Sequence, residues 1–154
     1  MTRRNYLFAA FAILLASTVN GQEPSAEISQ EIEFLKSRAD GFFRSLSDKT
    51  LGPERAIREL IASGPLKDRT DDINKLIDQA LTLDQRFGVY TGHELASARA
   101  VGSDVVFLRY LYKGDRFPII WYFTFYRAAP IAGVKRDWSL IALRFDAKVE
   151  TLDR

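Results

Sequence analysis

Four residues in the second half of the chain are of types that do chemistry. His93, within Tyr90-Thr91-Gly92-His93-Glu94, is the only histidine. A lone imidazole titrates near neutral pH and serves as a general base or pocket hydrogen bonder when a carboxylate orients it. Glu94 and Asp146 are the carboxylates considered for that role. Glu94 is adjacent to His93 in an extended stretch, so the two point to opposite sheet faces, which disfavours a dyad between them. The plainer reading is a strand-edge histidine held by hydrogen bonds or facing solvent. Arg109 and Arg144 each interrupt an apolar run, Val105 to Leu111 and Leu140 to Phe145. Turned inward, each would be desolvated and would demand an anion, either a protein carboxylate or a carboxylate-bearing ligand. Turned outward, each would snorkel from the sheet rim or pair across a dimer, with Asp146 a same-face candidate for Arg144. Trp121 belongs to an aromatic set, with Tyr110, Tyr112, Tyr122, Phe123, Phe125 and Tyr126. Such a set either forms a ligand platform or packs core and interface. His93, Arg109, Trp121 and Arg144 are therefore the candidate ligand-binding residues, with His93 a weak catalytic candidate.

Several chemistries are excluded. The chain has no cysteine, which removes disulfides, thiolate metal sites, a cysteine nucleophile and a lipid-modified N-terminal cysteine. A single histidine rules out a two-histidine metal site. No dinucleotide or P-loop glycine signature, zinc-protease helix, serine elbow or calcium loop occurs. No cofactor and no metal are expected.

The first 21 residues speak of address. Arg3 and Arg4 precede an apolar run from Tyr6 to Ala16, and small Val19 and Gly21 stand at the −3 and −1 positions before Gln22. This pattern predicts a signal peptide over 1–21, export to the periplasm or beyond, and a short polar lead over 22–26. The apolar run is roughly half the ~20 residues that a spanning helix needs, so no membrane attachment is expected after cleavage. Arg3 and Arg4 are two of 22 basic residues against 20 acidic ones, so the mature chain is formally neutral. A neutral domain lacks the field that steers a protein to nucleic acid, and no nucleic-acid partner is expected.

The elements that must position these residues fall into a helical half and a strand half. Ile28, Ile32, Leu35, Ala39, Phe42 and Leu46 recur at steps of three and four, predicting a helix over 26–48. Pro53 followed by Ala56, Ile57, Leu60 and Ile61 predicts a short second helix stopped at Ser63-Gly64-Pro65. Ile73, Leu76, Ile77, Ala80 and Leu81 predict a third, over about 70–84. Beyond Phe87, β-branched and aromatic residues predict strands at Val89–Ala100, Asp104–Lys113, Pro118–Arg127 and Asp137–Val149. The links Lys113–Arg116 and Ala128–Arg136 favour an antiparallel meander. The expected fold is thus α+β, a single domain over 27–150, with three N-terminal helices packed on a curved four-stranded antiparallel sheet. In the third strand Ile119, Trp121, Phe123 and Phe125 share one face, and Ile120, Tyr122, Thr124 and Tyr126 share the other. Both faces carry apolar residues, so a homodimer through the sheet is expected. Alternation does not say which face meets the helices.

This order of elements, ending in Trp121-Tyr122-Phe123-Thr124-Phe125-Tyr126-Arg127 and Trp138-Ser139-Leu140-Ile141-Ala142-Leu143-Arg144-Phe145-Asp146, resembles the nuclear transport factor 2-like superfamily, also called the SnoaL-like or cystatin-like α+β cone. The resemblance covers nearly all of residues 26–150 and rests on shape, with no short motif. It implies a pocket between the helices and the concave sheet face, and dimerisation through the outer face. Its members include enzymes and non-catalytic modules alike, so fold does not carry function. Three readings stand. One is an exported, non-catalytic, dimeric module that binds a small ligand or protein partner in its cone pocket. Another is a small isomerase, cyclase or hydrolase using His93 with a carboxylate and an arginine anion anchor. The third is a structural dimer whose pocket is filled by its own side chains.

Overall fold

The computed structural model describes residues 26–128 and 137–149. The signal-peptide expectation for 1–21 and most of the Ala128–Arg136 loop lie outside the described residues. The helical half contains α1 (Ala26–Ser47), α2 (Gly52–Ile61), a 3-10 turn (Pro65–Asp68), α3 (Thr70–Leu81) and α4 (Leu83–Phe87). The strand half contains β1 (Tyr90–Val101), β2 (Val105–Gly114), β3 (Pro118–Arg127) and β4 (Trp138–Asp146), paired antiparallel in sequence order. This is the expected α+β architecture. No described helix is long and apolar enough to cross a membrane.

Helix α1 buries Leu35, Ala39, Phe42, Phe43 and Leu46, the stripe that its apolar spacing dictates, against the sheet. Helix α2 starts at Gly52, whose φ of 73° favours glycine, and Pro53 occupies its first turn. The third predicted helix is two. It breaks at Thr82, whose hydroxyl donates to the Gln79 carbonyl at 2.9 Å, an alternative to the helical ladder that serine and threonine hydroxyls take readily. The break re-aims the chain so that Leu83 and Phe87 both enter the core. At Gly88, φ is 92° and a Cβ would lie 1.7 Å from Asp115 Oδ1, so only glycine lets the helical half meet the β2–β3 turn here. The Phe87 carbonyl accepts from Phe117 N at 2.9 Å at that junction.

The sheet curves at three irregularities, between Tyr90 and Gly92, between Leu95 and Ser97, and opposite Thr124 and Phe125. The odd-numbered residues Ile119, Trp121, Phe123 and Phe125 face the helices and are almost fully buried. The even-numbered Tyr122, Thr124 and Tyr126 face away. The parity that alternation left open is thereby fixed.

Candidate functional site

The space between α1 and the sheet is occupied by aromatic side chains. Phe42 meets Trp121 and Phe123 edge to face at centroid distances of 5.1 and 5.6 Å, and Phe43 meets Tyr110 at 5.2 Å. Trp121 is 0 % exposed. Its place is the centre of the core, out of reach of a ligand. Where the resemblance implies a pocket, these buried side chains pack against one another.

His93 stands on the helix-facing side, stacked on Phe43 at 4.5 Å. The carboxylate it meets is neither Glu94 nor Asp146 but Asp40 of α1, whose Oδ1 is 3.1 Å from Nε2. Its Nδ1 is hydrogen-bonded to the Tyr90 hydroxyl. Glu94 points to the other face, as alternation requires, and pairs there with Lys113. Asp146 accepts from Lys148 N at 3.0 Å. A general base needs a ring nitrogen within reach of the proton it takes. Both nitrogens of His93 are engaged by protein groups, so the arrangement ties α1 to β1 and leaves no nitrogen directed at a substrate. Asp40 was legible only as a polar residue beside the apolar stripe of α1, and no spacing rule links it to position 93.

Burial, and after it the negative charge of Asp40, pushes the phenols of Tyr90 and Tyr110 above 10.0; burial, and then Asp84, does so for Tyr112. The folded state therefore holds protons that the unfolded chain releases from about pH 10 upward. A raised folded pKa gives stability that is complete below the unfolded value and is lost as pH rises through the folded one. We expect the urea midpoint to hold level to about pH 9.5 and then fall. The fall should be shallower in Tyr110→Phe/Tyr112→Phe, which has fewer phenols to ionise; an equal slope in both proteins would contradict these assignments.

Arg109 and Arg144 lie on the outer face, separated from His93 by the sheet. Register lines them up. Ser97 of β1, Arg109 of β2, Tyr122 of β3 and Arg144 of β4 form one row across the four strands. Arg99, Phe107, Thr124 and Ala142 form the next. Adjacent strands are about 4.8 Å apart, so both Arg109 and Arg144 reach Tyr122 between them. Their guanidinium carbons lie 5.8 and 3.8 Å from its ring centroid. Arg99 covers Phe107 in the same way at 5.7 Å. Together these residues line a cavity of about 550 Å³ that also includes Ser97, Thr124 and the edges of Leu108 and Phe123. Among the described residues its lining includes three guanidiniums and no carboxylate. A second cavity, of about 290 Å³, lies between α1 and α2 beside Arg38, Gly41 and Glu59. Neither cavity includes His93 or Trp121.

The structure thus unites two of the four sequence candidates, Arg109 and Arg144, and keeps the other two apart from them. It also reveals Arg127, which the sequence offered only as an end to an apolar run. Its side chain is 11 % exposed and forms an ion pair with Glu31 of α1, donates to the Ser103 carbonyl at 2.8 Å, and covers the Trp138 ring at 4.9 Å. Parity was the available signal, since position 127 continues the series 121, 123, 125 that enters the core. Among the described residues no group of three or more His, Cys, Asp or Glu side chains is placed to hold a metal ion. Compared with protein-family models, with curated proteins and with solved structures, the chain matches none.

Proposed function

We propose that this chain is an exported, non-catalytic α+β module of the nuclear transport factor 2-like kind, and that it works by binding through the outer face of its sheet. What carries this is the contrast between the two faces. The helix-facing side is filled by Phe42, Phe43, Tyr110, Trp121 and Phe123, whereas the outer side holds a cavity of about 550 Å³ with three arginines on its walls. Two further observations weigh against an enzyme that combines His93 with an arginine anchor. Both ring nitrogens of His93 are occupied, and the sheet stands between it and Arg109 and Arg144.

Self-association through the same face is the second reading, and one observation favours it. The row of Glu94, Leu111, Ile120 and Asp146 lies directly beside the row of Ser97, Arg109, Tyr122 and Arg144. Two copies facing each other across the boundary between these rows would set Asp146 of one near Arg144 of the other. Native mass spectrometry of the protein from its own source tests both readings. A co-purifying small molecule lost on Tyr122→Glu supports ligand binding there, and a dimer reduced to monomer by that change supports self-association. A Tyr122→Glu protein that keeps the parent's mass and ligands would overturn the outer face as the working surface. The same spectrum reads export: a chain lacking residues 1–21 supports it, and full-length mass contradicts it.

A further inference from the structure

Resting on the outer face as the working surface, we propose that the cavity over Tyr122 binds a planar aromatic carboxylate. The guanidinium edges of Arg144 and Arg99 take the carboxylate, and the apolar surface of Phe107 and Tyr122 left beside them takes the ring.

Charge selects an anion. Among the described residues the lining contains Arg99, Arg109 and Arg144 and no acidic residue, while Glu94, the outer-face acid on β1, is paired with Lys113 in a different row. Geometry selects a carboxylate. Arg144 lies against Tyr122 at 3.8 Å and Arg99 over Phe107 at 5.7 Å, so each guanidinium already rests on an aromatic partner. A guanidinium held by its face presents its N–H edge, and that fork matches the two oxygens of a carboxylate.

Shape selects a flat apolar body. A volume of about 550 Å³ falls within the range of small-molecule sites. Phe107 and Tyr122 are half-buried on adjacent strands and offer apolar surface beside the arginines, with Ser97 and Thr124 also among the lining residues. A bare inorganic anion would use the arginines and leave that apolar surface wet. A second copy seated directly row on row would bring each arginine row against its own equivalent, a like-charge juxtaposition that costs affinity.

Isothermal titration of the purified mature protein with 2-naphthoate, its neutral analogue 2-naphthamide, and inorganic phosphate tests the proposal. We expect saturable one-to-one binding of 2-naphthoate, weakened roughly tenfold or more when the carboxylate becomes an amide. Arg144→Gln and Arg99→Gln should each weaken 2-naphthoate by about fivefold or more while leaving the urea midpoint unchanged, because both side chains lie at the surface. Equal affinity for naphthoate and naphthamide would overturn the proposal, as would binding unaffected by Arg144→Gln. Phosphate bound as tightly as 2-naphthoate would overturn the aromatic part of the ligand assignment. Absence of naphthoate binding, together with a dimer that Tyr122→Glu dissociates, overturns the ligand and leaves the working face intact. Absence of binding with no change of mass on Tyr122→Glu overturns both.

Discussion

Trp121→Ala should destabilise the domain by about 3–5 kcal/mol, since removing a fully buried large aromatic forfeits its transfer energy and leaves a cavity. Trp121 is 0 % exposed and meets Phe42, Phe43, Phe123 and Phe145 at centroid distances of 4.8 to 6.5 Å. Against a total of about 5–15 kcal/mol for an ordinary domain, that loss takes a large share of the folded population's margin. The helices and the sheet both contribute to this cluster, so the cavity cannot close by moving one side chain. Trp121→Phe provides the comparison. It keeps an aromatic ring in place and removes an indole N–H that has no hydrogen-bond partner among the described residues. Its cost should therefore be well below that of alanine. Urea denaturation measures both, and a Trp121→Ala midpoint within error of the parent would show that the interior is not packed around this residue.

The second large effect belongs to the Glu31–Arg127 pair, which ties α1 to the end of β3. Its side chains are 21 % and 11 % exposed, so neither charge is well hydrated. Removing one partner of such a pair strands the other charge, at a cost of about 3 kcal/mol for a site with some residual solvent contact. Arg127→Met is expected to show that loss, because Glu31 keeps its charge and the Ser103 carbonyl loses a donor. The double change Glu31→Leu/Arg127→Met removes both charges and replaces them with apolar volume. It should recover most of the stability, since desolvating two ions offsets much of what their attraction returns. A double variant no more stable than Arg127→Met would contradict this account of the pair.

The elements were legible because each is encoded locally. The steps of three and four through Leu35, Ala39 and Phe42 give the helix with its core face, and the period of two through Trp121, Phe123 and Phe125 gives the strand and its two faces without saying which one meets the helices. The break at Thr82 was not legible, because the buried series Ile73, Leu76, Ile77 and Ala80 continues to Leu83 at a helical step, while the bonds of Thr82 N and Oγ1 to the Gln79 carbonyl end the ladder. The site was half legible. Arg109 and Arg144 stand out as charges within apolar runs, but their meeting at Tyr122 depends on register between three strands, which follows from pairing and turn geometry. The His93–Asp40 contact spans 53 residues and two element types, and no local pattern announces such a contact. Trp121 was legible as either a ligand platform or a packing residue, and the structure makes it a core residue.

The claim on which the account stands is that the helix-facing side of the sheet is closed and the outer side is the one that binds. Intermolecular nuclear Overhauser contacts between 2-naphthoate and the isotope-labelled mature protein test it most directly. The expected result is contacts to the rings of Phe107 and Tyr122 and none to Phe43 or Trp121; contacts from the naphthalene protons to Phe43 and Trp121 would place the ligand inside and contradict the account.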